Sequence, residues 1–204
     1  MERLEGERLE GRSPDDPVIN QFKVDEEMII LDYLEANRIG DYPIWLGSRV
    51  PARNKKWLDY HRISHILDVG SPNLMLFPDI HYKKIFIDDD VNAPIFLYFN
   101  ECINFINEAI TRGTGILVHC FAGISRSATI ILAWMIRMYF QDRRIIQSSD
   151  FDYICLSDLS CGVDNFVSHL RKFRGIIQPN DGFMAQLETF FQNEQANTLF
   201  FQNK

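Results

Sequence analysis

Residues 116–129 constrain this chain more than any other stretch. Ile116, Leu117 and Val118 read as a buried strand, residues 119–125 as a short loop, and the run from Arg126 as the start of an apolar helix. A strand that feeds a helix through such a loop gathers backbone N–H groups around one point, at the positive end of the helix dipole. That point attracts an anion. Gly123 allows a sharp turn and a close approach to the anion. Arg126 supplies a planar fork matched to two phosphate oxygens. Cys120 sits in the same loop, and a helix N-terminus with a nearby cation favours the thiolate form of a cysteine. The Ser127 hydroxyl is placed to donate a hydrogen bond to the sulfur and to help it leave again. A thiolate in an anion cradle beside a bidentate cation points to phosphoryl transfer through cysteine.

Such chemistry needs an acid. When sulfur attacks phosphorus the departing oxygen must take a proton, and a carboxylic acid on a loop can supply it, then activate the water that follows. Residues 84–87 read as a strand running into Asp88, Asp89 and Asp90. The run makes the assignment among the three ambiguous, and an acidic turn or cap is the competing reading, chiefly for Asp88 and Asp90.

Residues 119–127 match the pattern His-Cys-x-x-Gly-x-Ser-Arg-Ser, through His119, Cys120, Gly123, Ser125, Arg126 and Ser127, and in this the chain resembles the dual-specificity branch of the cysteine-based protein tyrosine phosphatases. The likeness runs from about residue 42 to residue 191, taking in Ile44, Leu46, Gly47 and Ser48, then Ile63, His65, Ile66 and Leu67, and finally Pro179, Asn180, Gly182, Phe183, Gln186 and Leu187. It implies an α/β fold with a central mixed, mostly parallel sheet flanked by helices. It implies Cys120 as nucleophile, Arg126 and the backbone of Phe121, Ala122, Gly123, Ile124 and Ser125 as the phosphate loop, and Ser127 as helper of sulfur departure. The family's acid stands after this strand and ahead of a helix with Tyr-Phe and Phe-Ile pairs. Here these are Tyr98-Phe99 and Phe105-Ile106, and counting from either side lands on Asp89. Asn180 would brace the loop, or cap the last helix. His119 would shape the loop, since its side chain points away from that of its neighbour along a strand.

The implied activity is hydrolysis of phosphotyrosine and phosphoserine or phosphothreonine in proteins, through a phosphocysteine, with no cofactor and no metal. Phe121, Ala122 and Ile124 carry no charge, which argues against polyanionic substrates such as inositol lipids or RNA 5′-triphosphates. Two alternatives keep the loop: the same mechanism on a lipid, glycan or RNA phosphate, and a catalytically weak phosphoprotein-binding module. A net charge of −7 disfavours a nucleic-acid partner and means that substrate phosphate is drawn in by a local field. Five dispersed histidines and four scattered cysteines assemble no metal cluster, and the cysteines suit a reducing compartment, cytoplasmic or nuclear. No apolar run approaches the roughly 18–20 residues of a membrane span.

The remaining segments are placed around that domain. Residues 1–23, with Glu-Arg-Leu-Glu-Gly twice, read as a flexible leader, and Val24, Met28, Leu31 and Leu34 as a helix ending at 37–40, within an N-terminal extension over 24–40. The first strand is expected at 42–48, a polar helix at 52–61 and a helix from Pro94 to Thr111 with Cys102 on its core face. His61 and His65 read as structural. Residues 141–161 depart from the family as an inserted surface excursion, anchored through Phe151, Tyr153, Ile154 and Leu156; its Cys155 and Cys161 could pair, or resolve an oxidised Cys120. A helix over 163–174 presents Arg171, Lys172 and Arg174 as a small basic face in solvent, the domain runs over 41–195, and 196–204 form a tail.

Overall fold

The structure is a computed structural model that describes residues 34–70, 76–141 and 162–202. The leader over 1–23, most of the helix expected before residue 37, and the insertion over 142–161 with Cys155 and Cys161 lie outside the described residues.

Five strands form one sheet: β1 (Ala36–Arg38), β2 (Ile44–Gly47), β3 (Ile63–Val69), β4 (His81–Ile85) and β5 (Gly115–His119), in the order β1-β2-β5-β3-β4. Only the β1–β2 pair is antiparallel; β2–β5, β5–β3 and β3–β4 run parallel. The strands at the centre explain the apolar runs in the sequence, because a parallel sheet covered on both faces buries every side chain. All of β5 is buried, and so is β3 apart from Ser64.

One face is covered by a 3-10 turn (Pro51–Arg53) and α1 (Lys55–Tyr60), where Leu58 packs with Ile66 and Leu117. The other is covered by α2 (Phe99–Thr111), α3 (Arg126–Gln141), α4 (Val163–Arg171) and α5 (Asp181–Gln202). On α3 every residue from 127 to 136 is buried, so this helix runs through the middle of the larger layer. Trp134 anchors it, donating from Nε1 to Asn107 Oδ1 at 2.9 Å and meeting Tyr42 edge-on at 5.1 Å. The loop at the C-terminal end of β5 therefore leaves a central strand and enters a fully packed helix, which fixes it at both ends.

Three expectations need correction. The helix predicted to close at 37–40 gives way to β1, which pairs Ala36 with Gly47 and Arg38 with Trp45. The reason is a hairpin: Ile39 N–H donates to Ile44 O at 2.9 Å, and Arg38 closes the turn on the carbonyls of Asp41 and Tyr42. The fourth strand spans residues 81–85 rather than 84–87, since its pairing with β3 starts at His65 and His81 and leaves 86–90 as loop. The tail is no separate segment, because α5 continues to Gln202.

Burial holds three histidines below their ordinary value of 6.5: His61, His65 and His119. In the unfolded chain they take up protons as the pH falls through that value, while the fold keeps the rings neutral to lower pH. The unfolded state then binds more protons, so stability rises with pH across this window and falls as the pH drops. The urea midpoint is expected to be lower at pH 5.5 than at pH 7.5, before most carboxylates protonate. A midpoint unchanged over that interval would show the rings charging freely inside the fold.

Candidate active site

The loop between β5 and α3 is shaped from outside. Each of its carbonyls, over residues 120–125, is occupied by a donor on the side away from the loop's centre. His119 Nδ1 lies 3.2 Å from Cys120 O, Arg49 N–H donates to Phe121 O at 3.3 Å, and Gln178 N–H donates to Ile124 O at 2.9 Å. Arg174 donates to Ala122 O at 3.2 Å and Gly123 O at 2.9 Å, and Thr129 donates from both N–H and Oγ1 to Ser125 O at 2.9 Å. No peptide bond here is cis, so the N–H of each unit points opposite to its carbonyl. Carbonyls held outward turn the amides of residues 121–126 inward. Gly123 adopts φ +74°, and a side chain there would strike the Gly47–Ser48 backbone.

Cys120 lies at the floor of this ring, buried. Its Sγ receives Gly123 N–H at 3.2 Å and Ser127 Oγ–H at 3.3 Å, two donors that stabilise negative charge on sulfur. Arg126 Nη1 is fixed by Gly70 O at 2.8 Å and Ile87 O at 3.3 Å. Its Nε has no hydrogen-bond partner among the described residues and stands 3.6 Å from Asp89 Oδ2. The guanidinium is thus oriented by main chain, with a donor left toward the loop's centre.

Asp89 is the aspartate of the run that bonds to Ser125 and Asn180. Its Oδ1 accepts from Ser125 Oγ at 2.6 Å and from Asn180 Nδ2 at 2.9 Å. Asp88 is exposed, and Asp90 caps its own turn through Asn92 N–H at 2.8 Å. Asn180 touches both the last helix and the acidic loop. Its Oδ1 accepts Phe183 N–H at 2.9 Å at the start of α5, while its Nδ2 holds Asp89 and its N–H meets Ser125 Oγ at 3.2 Å. A side chain on Gly182 would collide with Val91 O, so α5 begins pressed against the acidic loop. Cys120, Arg126, Asp89, Ser125 and Asn180 line one cleft of about 510 Å³, whose rim carries the exposed Phe121 and Val91. A larger cleft, about 670 Å³ around Arg137 and Glu194, contains none of these residues. No group of three or more His, Cys, Asp or Glu side chains that could hold a metal gathers among the described residues, and no described helix is long and apolar enough to cross a membrane.

Cys102 is buried in the core, where desolvation pushes its thiol up to about 12. Sequence reasoning misplaced Arg174. It was expected in solvent but is wholly buried, its guanidinium bridging the loop carbonyls and Asn37 Oδ1 of β1 at 2.6 Å. Its spacing from Arg171 along the helix suggested a shared face, yet α4 stops at Arg171 and the turn that follows swings Arg174 inward. Removing this brace frees two carbonyls at once. Arg174→Met is expected to lower turnover of an aryl phosphate about 100-fold with the fold retained, and Asn37→Ala to cause a smaller loss in the same direction. Full activity of Arg174→Met, measured alongside circular dichroism, would show that the loop holds its shape unaided.

Comparison with known proteins agrees with this geometry. Residues 44–144 match the dual specificity phosphatase catalytic domain. Dual specificity protein phosphatase 1B of Arabidopsis thaliana is 32% identical over 155 residues, 76% of this chain and 81% of the relative. Dual specificity protein phosphatase 1 of the same plant is 31% identical over 159 residues, 78% of this chain and 70% of the relative. The crystal structure of DUSP15 superposes with a TM-score of 0.64 at 28% identity, covering 84% of this chain and 97% of that one. With this sheet, this loop and these relatives, the chain belongs to the dual-specificity phosphatases of the cysteine-based protein tyrosine phosphatase superfamily.

Proposed function

We propose that the chain hydrolyses phosphotyrosine and phosphoserine or phosphothreonine in proteins through a phosphocysteine. One observation carries this reading: the Cys120 sulfur lies beneath amides turned inward by outward-tied carbonyls, beside a guanidinium whose Nε has no hydrogen-bond partner among the described residues. Three equatorial phosphoryl oxygens carry the charge in the transition state, and this ring of donors is arranged in advance to receive it.

The steps follow from the positions. A phosphate seated in the ring takes its oxygens to the amides of 121–126 and to Arg126. Cys120 Sγ attacks phosphorus, the bond to the substrate oxygen breaks, and Asp89 gives that oxygen a proton. Asp89, now a carboxylate held by Ser125 and Asn180, takes a proton from water as the water attacks the phosphocysteine. The S–P bond breaks, and Ser127 Oγ–H, 3.3 Å from Sγ, stabilises the departing thiolate. Phe121, 46% exposed, and Val91, 51% exposed, give the mouth an apolar rim that suits a phosphoresidue carried on a peptide better than a polyanion.

Cys120→Ser is expected to abolish turnover of an aryl phosphate. Asp89→Asn is expected to lower kcat by about 10²–10⁴-fold, most for substrates with poor leaving groups, because general acid catalysis supplies gains of that order. An Asp89→Ala chain incubated with phosphopeptides should retain them, whereas retention of phospholipid headgroups or 5′-phosphorylated RNA instead would reassign the substrate. Turnover persisting in Cys120→Ser would reject the phosphocysteine.

A further inference from the structure

Behind the loop, on the sheet face opposite the Cys120 side chain, three strands place ionisable side chains on one rung. The register pairs Lys84 of β4 with Asp68 of β3, and Asp68 with His119 of β5; the next strand, β2, brings Gly47 to the same level. All three side chains are withdrawn from solvent, the lysine 15% exposed, the aspartate 4% and the histidine 0%. Lys84 Nζ stands 3.9 Å from Asp68 Oδ2, and Asp68 Oδ1 stands 4.0 Å from His119 Nδ1. Phe86 lies against the lysine, its ring centre 4.9 Å from Nζ. His119 in turn meets the main-chain carbonyl of the nucleophile, Cys120, at 3.2 Å. The charged groups facing this imidazole from the neighbouring described strands are Asp68 and Lys84.

A carbonyl oxygen only accepts, so the contact with Cys120 O is a hydrogen bond only when Nδ1 carries the proton. A carboxylate on the same side favours a proton on that nitrogen. His119 Nε2 and Lys84 Nζ have no hydrogen-bond partner among the described residues, so neither is explained by satisfaction of its own polar atoms. Burying an ammonium and a carboxylate together is costly, and the pair is weak evidence for stability alone. What the arrangement offers is a carboxylate 4.0 Å from the same nitrogen that faces the Cys120 carbonyl.

We infer that Asp68, balanced by Lys84, is a positioning residue for the reaction: it holds His119 in its Nδ1–H form, which keeps the Cys120 carbonyl turned outward and the first amide of the loop turned inward. This rests on reading the loop as the catalytic phosphate site. The two charges act on the ring in opposite senses. Asp68 raises the proton affinity of His119 and Lys84 lowers it, against a larger lowering by burial. Loss of the carboxylate therefore lowers the pH at which His119 titrates, and loss of the ammonium raises it. Removing both leaves it between the wild type and the Asp68 variant, since the aspartate acts on the ring more strongly than the lysine.

The test uses the full chain with ¹⁵N-labelled histidine, as wild type, Asp68→Asn, Lys84→Met and the double variant. Imidazole nitrogen shifts are followed against pH, with kcat and KM for an aryl phosphate measured beside them. The wild type should show a neutral Nδ1–H ring at pH 7. Asp68→Asn should lose that fixed tautomer and titrate at lower pH, with kcat reduced about 10- to 100-fold and KM little changed. Lys84→Met should titrate at higher pH, and the double variant should return toward wild type. An Nε2–H ring in the wild type, or His119 signals indifferent to both single changes, would overturn the inference; so would an unchanged kcat in Asp68→Asn. If one single variant fails to fold, the other and the double variant still carry the comparison, because the sign of the displacement is what is read. Should the wild type lack phosphatase turnover, the functional reading falls, and the nitrogen shifts still decide whether the rung sets the tautomer.

Discussion

Outward satisfaction of the phosphate-loop carbonyls is the constraint on which the rest of this structure depends. A loop that offers its amides to an anion must send the partner carbonyls elsewhere, and buried carbonyls demand donors. Most of the donors here come from distant parts of the chain: Arg49 after β2, Arg174 beyond α4 and Gln178 before α5. Sheet order and helix packing are what deliver these groups to one place. Read this way, the fold is a frame for orienting a handful of peptide planes.

The same economy appears around the acid. The Asp89 carboxylate is held by a loop serine and by an asparagine that also caps α5, so this aspartate, the loop and the last helix share atoms. Electrostatically the site is local. A chain with net charge −7 presents an inward ring of amides, a helix N-terminus and Arg126 at the bottom of one cleft, so an approaching phosphate meets a positive point in an otherwise acidic molecule.

How much of this was legible beforehand follows from how far apart in sequence the partners are. The nucleophile, arginine and serine fall within one short stretch, so a linear pattern captures them. The α/β class was legible in short apolar strand segments such as residues 116–118, while the strand order, made by pairings between distant segments, was not. Asp89 was singled out from its neighbours by counting; all three aspartates are exposed, and Asp89 is the one bonded to Ser125 and Asn180, while Asp90 caps a turn. Arg174 was misread because its role is made by Ala122, Gly123 and Asn37, none of them near it in sequence. Asp68 and Lys84 looked like ordinary strand residues for the same reason; only the lateral register sets them beside His119. The edge strand β1 was hidden by a helical spacing that runs up to Leu34 and says nothing of the hairpin just beyond it.

That edge strand bears on where the working unit of this molecule begins. The match to the family's domain model covers residues 44–144, yet Asn37 lies upstream of it and grips Arg174, and Arg174 and Asn180 both lie downstream of residue 144. A fragment cut at residues 44 and 144 would carry Cys120, Arg126 and Asp89 but lose the outer hands that hold them in register. Its autonomy as a catalyst is set by these flanks as much as by the signature itself.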